Sequence, residues 1–155
     1  MYKAAVRWMI RKNIDALNAG NYEPALKMFA ADATLTFPGD NSWSRQFSEP
    51  QVGRHNTPTH QGRDQIEAFL QRYVDHGLQM QIEDILVNGP PWNMRAVAIV
   101  TDWAVIDGEE VYSNRAALYV RGRWGKIVAQ EDYEDTTRPA LLDAYMERKT
   151  AAVRS

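Results

Sequence analysis

The longest regular pattern in this chain is an alternation of apolar and polar residues between positions 95 and 135. This alternation predicts three β-strands, at residues 95–106, 110–121 and 126–135. Asp107-Gly108 separates the first two strands and is a strong signal for a two-residue hairpin, and a second turn is predicted at residues 122–125. A partly alternating stretch at 78–87 adds a fourth strand, so this half of the chain predicts a four-stranded antiparallel meander.

Apolar residues recur at helical spacing on either side of the meander. They predict helices at residues 2–19, 22–31 and 62–76 and a last helix that begins near Pro139, with a short strand at 34–37. Residues 40–61 predict a long lid loop, packed through Trp43 and Phe47, with a brief strand near 46–48. The order of elements predicts an α+β fold in which three N-terminal helices cover the concave face of a curved antiparallel sheet.

Composition narrows the class of protein. A chain of 155 residues with 45% hydrophobic residues predicts one domain, over residues 1–149, followed by a frayed tail at 150–155. A net charge of -2 disfavours a nucleic-acid partner, and the lack of cysteine excludes thiolate chemistry and disulfides. No stretch has the length of apolar run that a membrane span requires, and a soluble cytoplasmic protein is expected.

Both faces of the predicted meander are rich in apolar residues. A hairpin closed at Asp107-Gly108 would place Val100 opposite Arg115, and the next turn would place Arg115 opposite Asp132. Asp102, Arg115 and Asp132 would then share one face with Tyr119 and Glu134. The other face would carry Trp103, Leu118 and Tyr133. Whichever face the helices leave uncovered is expected to meet a second subunit.

Five short segments, taken in order, resemble the nuclear-transport-factor-2-like superfamily. They are Ala16-Leu17-Asn18-Ala19-Gly20, Phe29-Ala30-Ala31-Asp32-Ala33-Thr34, Phe37-Pro38-Gly39, Gly62-Arg63-Asp64-Gln65-Ile66 and Gly125-Lys126-Ile127 with the following Asp132-Tyr133-Glu134-Asp135. This cone-shaped α+β fold includes ketosteroid isomerases, limonene epoxide hydrolase and SnoaL-like cyclases. The resemblance implies that the face with Asp102 and Asp132 lines a pocket, and that the face with Trp103, Leu118 and Tyr133 forms a homodimer.

The resemblance to the isomerases does not extend to their catalytic residues. The catalytic tyrosine of the isomerases corresponds to Asn13 in this chain, their aspartate base to Phe37 and their second aspartate to a position near Ala117. Because all three catalytic residues are replaced, a classical steroid isomerase is not expected. The aspartates of limonene epoxide hydrolase correspond to Asp132 and Asp102. Its bridging arginine corresponds to Val100, and Arg115 is a candidate to occupy the same space.

These residues predict a cofactor-independent acid/base enzyme acting on a small hydrophobic, cyclic or aromatic molecule. Asp132 and Asp102 are its candidate acid and base, and Arg115 would orient them or hold an oxyanion. The structural alternative is an Arg-Asp bridge between strands, and the functional alternative is a non-catalytic binding or protein-interaction domain. The candidate substrate-binding residues are Phe37, Trp43, Tyr119, Asn13, Tyr73, Trp8 and His60.

Several of these residues also have simpler interpretations. Trp8 and Tyr73 are typical of core packing, and His60 of an exposed loop histidine. Glu131, Glu134 and Asp135 fit a solvated strand end. The histidines lack the spacing of metal ligands, so no metal site is predicted, and no phosphate-binding or dinucleotide-binding motif occurs.

Overall fold

A computed structural model of the chain describes residues 1–49 and 57–155. Within these residues the helices are α1 (Tyr2–Asn18), α2 (Glu23–Met28), α3 (Gly62–Asp75) and α4 (Thr137–Arg154). The strands are β1 (Phe29–Thr36), β2 (His60–Gln61), β3 (Leu78–Asn88), β4 (Met94–Ile106), β5 (Glu109–Arg123) and β6 (Lys126–Glu134). The predicted α+β class is therefore confirmed.

The strands form one mixed sheet in the order β2-β1-β6-β5-β4-β3. Strands β3 to β6 pair antiparallel, which confirms the predicted meander. The expectation of a wholly antiparallel sheet is wrong, because β1 pairs parallel with β6. Most of the chain lies between these two strands, so no tight hairpin constrains their relative direction.

The first hairpin of the meander has the predicted two-residue turn but not the predicted register. Asp107 and Gly108 have φ of 53° and 81°, as a type I′ turn requires, and Ile106 pairs with Glu109. The register then shifts at Val111, so that Ala104 pairs with Tyr112 and each later residue of β5 lies one position off the prediction. Such a β-bulge reverses the sheet face on which each following side chain lies.

The second hairpin also differs from the prediction. Its turn is formed by Trp124-Gly125, with φ of 51° and 78°, rather than by residues 122–125. A second register shift lies next to Val128, beyond which Leu118 pairs with Asp132. This shift reverses the faces of β6 relative to β5.

The other predicted elements need smaller corrections. Residues 46–48 form bends instead of a strand, and β1 begins at Phe29, earlier than predicted. Helix α4 continues through Arg154, where a frayed tail was expected. Residues 50–56 of the predicted lid loop lie outside the described residues, while residues 40–49 form a compact turn structure. Of the helices described, none combines the length and the apolar character needed to cross a lipid bilayer.

Candidate functional site

Helices α1 to α3 and the inner face of the sheet enclose a largely apolar cavity of about 140 Å³. Ile10, Ile14 and Leu17 of α1 contribute to one wall. Alanines stand at several inner positions of β4 and β5, among them Ala98 and Ala116, and both are buried. Because alanine fills little of the layer between helix and sheet, this pattern leaves space where larger side chains would close the core.

Three carboxyl groups lie at one end of this cavity. Asp102 comes from β4, and Asp132 and Glu134 come from β6. Between them, β5 places Asn114 opposite Asp102 and Ala116 opposite Glu134. The small side chain of Ala116 leaves room above β5. The carboxyl groups of β4 and β6, the strands on either side of β5, therefore face a common space.

Burial raises the pKa of all three carboxyl groups. Desolvation raises the pKa of Asp102 to about 7, although a hydrogen bond with the Tyr112 side chain lowers it in part. Desolvation also raises the pKa of Asp132 to about 7, with a smaller increase from the charge of Asp102 and a decrease from a hydrogen bond with Gln130. The pKa of Glu134 rises to about 8, first through burial and then through repulsion by the two aspartates.

Polar side chains of β5 and β6 hold these carboxyl groups in place. Gln130 Nε2 donates to Asp132 Oδ1 at 2.9 Å. Asn114 Nδ2 donates to Glu134 Oε2 at 3.2 Å and to the Asp135 carbonyl oxygen at 3.0 Å, and it lies 3.3 Å from the Tyr112 hydroxyl. Asn114 therefore ties the middle strand to the end of β6.

Aromatic side chains form the wall of the cavity on the side of α3. The ring centres of Phe37, Trp43 and Tyr73 lie 4.6, 5.4 and 6.1 Å from that of Phe69. Trp43 belongs to the described part of the predicted lid, and it is only 5% exposed. The Asn41 side chain holds that turn, because its Oδ1 accepts from the backbone N–H groups of Trp43 and Ser44 at 3.0 and 3.2 Å. The described part of the lid therefore packs against the cavity through Trp43, whereas Phe47 is 46% exposed.

A second set of contacts attaches the same turn to two helices. Arg72 Nη1 of α3 donates to the Ser42 carbonyl oxygen at 2.7 Å, and the backbone N–H of Ser42 donates to Asp143 of α4 at 2.9 Å. The Arg72 guanidinium also lies 5.6 Å from the centre of the Trp43 ring. These contacts fix the position at which Trp43 enters the cavity wall.

The structure brings together most of the sequence-predicted site residues. Asp102, Asp132, Asn13, Phe37, Trp43 and Tyr73 all line the cavity.

The structure separates the other predicted site residues from the cavity. Arg115 lies on the outer sheet face, where its Nη2 forms an ion pair with Glu83 at 2.8 Å, and Tyr119 lies on that same face opposite Glu131. The bulge at Val111 is the physical reason for both errors. Trp8 is 61% exposed on α1, with Lys12 Nζ 4.8 Å from its ring centre, so it does not line the cavity.

His60 is buried rather than exposed as expected. Its Nδ1 lies 2.9 Å from Thr59 Oγ1 and its Nε2 lies 2.9 Å from Gln46 Oε1. The ring packs edge-on against Phe37 and Phe69, behind the aromatic wall. Burial, with a smaller effect of Arg72, lowers the pKa of His60 to about 4, so the ring is neutral at pH 7.

Sequence reasoning missed three residues of the polar end. Glu134 was correctly assigned to the face of Asp102 and Asp132 but was interpreted as part of a solvated strand end. Regular alternation along β5 predicts Asn114 and Tyr112 on the face opposite Arg115, which is the outer face only if no bulge intervenes. Two adjacent apolar residues, Val111 and Tyr112, mark that position in the sequence.

The described residues offer no alternative site built on a metal ion. Among residues 1–49 and 57–155, no three His, Asp or Glu side chains converge closely enough to hold one.

Comparison with known proteins identifies the family of this domain. A sequence profile of the SnoaL-like domain matches residues 10–130. No curated protein sequence matches the chain significantly.

Solved structures support the same fold. An NTF2-like protein of unknown function from Burkholderia pseudomallei is 18% identical, with a TM-score of 0.63 over 84% of this chain and 91% of that chain. AclR from Streptomyces galilaeus, described as a candidate hydroxylase, is 13% identical with a TM-score of 0.59 over 87% and 81% of the two chains. An LEH-like epoxide hydrolase from M. tuberculosis is 17% identical with a TM-score of 0.56 over 84% and 78%. At these identities the similarity establishes the fold alone.

Proposed function

Because the chain belongs to the SnoaL-like domain family, we propose that it is an enzyme that transfers protons on a small hydrophobic molecule, using side chains alone. The observation that carries this proposal is the pair of buried carboxyl groups, Asp102 and Asp132, at the polar end of an otherwise apolar cavity. Perturbed carboxyl groups enclosed in a cavity are typical of catalytic sites.

The pair is suited to acid/base chemistry at neutral pH. A pKa of about 7 for each aspartate means that the two groups together hold about one proton near pH 7. The protonated carboxyl can then donate a proton to the substrate while the ionised one accepts a proton from it. Isomerisation, cyclisation, lyase-type cleavage and addition of water all use such a transfer.

The surroundings of the pair support proton sharing rather than ion pairing. Val100, fully buried and lining the cavity, occupies the position at which the epoxide-hydrolase resemblance implies a bridging arginine. Arg115 lies on the other sheet face and cannot replace that arginine. Because no guanidinium of the described residues stabilises two negative charges there, the two carboxyl groups do not both ionise readily in an apolar space.

Substitution of each aspartate tests the proposal. Once a substrate is found by screening small hydrophobic carbonyl compounds, epoxides and polyenes, Asp102→Asn and Asp132→Asn should each lower kcat by roughly 10²- to 10⁴-fold. Asp32→Asn, at an exposed position of β1, is the matched control and should keep full turnover. Full turnover in both aspartate variants would refute the acid/base assignment. Ligand binding without any turnover in the unaltered protein would instead indicate a binding domain.

We also propose that the outer sheet face forms a homodimer. Outer-face residues Ile99, Trp103 and Tyr133 present apolar surface that the described helices do not cover, and Tyr133 is 50% exposed. Tyr119 replaces Leu118 on this surface, because the bulge turns Leu118 into the cavity.

Sedimentation velocity tests this dimer. At micromolar concentration we expect a dimer that Trp103→Lys converts to a monomer, since a buried lysine lacks a partner there. Trp92→Lys changes an exposed tryptophan in the turn that precedes β4 and should leave the dimer intact. A monomeric unaltered protein would refute the proposal.

A further inference from the structure

The polar end of the cavity is rich in acidic groups, and residues 1–49 and 57–155 place no cation there. Ion pairs in the described part of the chain involve Asp40, Glu83, Asp107 and Asp135, and none of these four carboxylates lines the cavity. Asp102, Asp132 and Glu134 have no basic partner among the described residues. Their side-chain hydrogen-bond donors are uncharged and are the amides of Gln130 and Asn114 and the hydroxyl of Tyr112.

Buried polar atoms at the same end of the cavity lack a partner. Asp102 is 7% exposed, and its Oδ1 accepts no hydrogen bond from the described residues. The Tyr73 hydroxyl, which lies within the influence of the Asp102 charge, is also buried without a partner among the described residues, and Tyr73 lines the cavity. Its oxygen can accept a hydrogen bond from a donor on the ligand. Buried polar atoms are nearly always hydrogen-bonded in folded proteins, so these atoms indicate a place that a polar ligand group fills.

We propose that the ligand of this cavity is a lipophilic amine, whose ammonium group lies among Asp102, Asp132 and Glu134 and whose apolar part lies against the helices. This inference rests on the proposed function, because it assigns a substrate class to the same cavity. An ammonium donates up to three hydrogen bonds and supplies the missing positive charge. The rings of Trp43 and Tyr73 line the same cavity and would favour a cation further.

Other ligand classes fit the polar end less well. A carboxylate or phosphate would face three acidic groups and no cation of the described residues. A metal ion needs three or more ligands within direct bonding distance, and the described residues provide no such set, whereas an ammonium acts through longer hydrogen bonds. A neutral alcohol would satisfy some hydrogen bonds but would leave the charge of the cluster uncompensated. The ammonium alone meets both the charge and the donor requirement.

Proton exchange should accompany binding. The carboxyl cluster is partly protonated near pH 7 before binding, and an ammonium favours its ionised form, so binding should release protons. The titratable or charged groups that face or approach the cluster from neighbouring elements are Tyr73 of α3, Tyr112 of β5, Asp135 beyond β6 and Arg138 of α4. Burial holds the pKa of both tyrosines above its ordinary value, so the carboxyl groups are the source of the released protons.

Calorimetry with matched ligands tests the inference. The probes are 2-phenylethylamine, 2-phenylethanol and 3-phenylpropionate, with cyclohexyl and naphthyl counterparts of each, titrated at pH 8. The amine should bind roughly 10- to 100-fold more tightly than the alcohol, as hydrogen bonds to charged groups imply, and the acid should not bind. Titration at pH 7 in phosphate and in Tris should show proton release with the amine only.

Variants locate the effect. Glu134→Gln should reduce the ratio of amine to alcohol affinity, and Glu109→Gln, at the exposed start of β5, should leave it unchanged. An alcohol that binds as tightly as its amine would overturn this inference while leaving the proposed function intact. If no probe of any shape binds, the cavity does not accept small hydrophobic molecules, and the proposed function fails as well.

Discussion

Replacement of Asp102 by asparagine should make the protein more stable at alkaline pH and have a much smaller effect in acid. The pKa of Asp102 is raised from 3.8 to about 7 by burial, so the folded protein holds its proton more tightly than the unfolded chain. The resulting stabilisation is fully present below about pH 4 and is lost as the pH rises through 7. Asparagine has a similar shape and no proton to lose, so it removes this dependence.

The size of the effect follows from the two pKa values. Between pH 5 and pH 8, proton linkage predicts that ionisation of Asp102 lowers the free energy of unfolding by about 2 to 3 kcal/mol. Because the charge of Asp102 also raises the pKa values of Asp132 and Glu134, its removal should relieve them too. The gain of the variant at pH 8, relative to its effect at pH 5, should therefore reach at least about 2 kcal/mol.

Urea denaturation followed by tryptophan fluorescence measures this difference at pH 5, 6.5 and 8. Asp32→Asn alters an exposed carboxylate of β1 and is the matched control, which should follow the unaltered protein at each pH. If Asp102→Asn and the unaltered protein show parallel pH dependence, Asp102 ionises as freely in the folded state as in water. That result would remove the basis of both the acid/base assignment and the amine site.

Three further predictions concern other parts of the fold. Ala116→Leu should fill the space above β5, raise or maintain the melting temperature and weaken ligand binding in calorimetry; unchanged affinity would place the ligand elsewhere. In urea denaturation, the unaltered protein should lose stability between pH 6.5 and 4, because the lowered pKa of about 4 makes the folded protein resist protonation of the His60 ring. His60→Asn should reduce this loss. An unchanged dependence of stability on pH would contradict a buried neutral histidine. Trp124→Gly should raise stability by about 1 kcal/mol, because glycine adopts the positive φ of this position without strain, whereas Trp124→Ala keeps the strain and should not raise stability. Equal melting temperatures of the two variants would show that the turn is unstrained.

The fold was predictable from the sequence because its signals are local. Helical spacing in α1 and α3 and the Asp107-Gly108 turn each specify an element independently of the rest of the chain. The pairing of β1 with β6 was not predictable in this way, since it depends on how distant segments pack. Burial of His60 had no local signal either, because the aromatic rings around it are Phe37 just after β1, Phe47 of the turn at residues 40–49 and Phe69 of α3.

The polar end of the site shows why alternation alone identified the aspartates but not their neighbours. Val111 and Tyr112 are adjacent, and both pack against the core, which a regular strand does not allow. The chain accommodates them with a bulge, and every later side chain of β5 changes face.

The register shift beside Val128 reverses the faces of β6 relative to β5, just as the bulge at Val111 reverses those of β5 relative to β4. The two reversals cancel, so the faces of β6 relative to β4 are those that regular alternation predicts. Asp102, Asp132 and Glu134 therefore share the face that simple alternation assigns to them, although both intervening registers are wrong. Residues on β5 undergo only the first change. Arg115 consequently leaves the cavity, while Tyr112 enters it and Asn114 turns to the inner face beside Glu134. This exchange replaces the expected carboxylate-guanidinium site with an acidic cluster to which the described residues supply no cation.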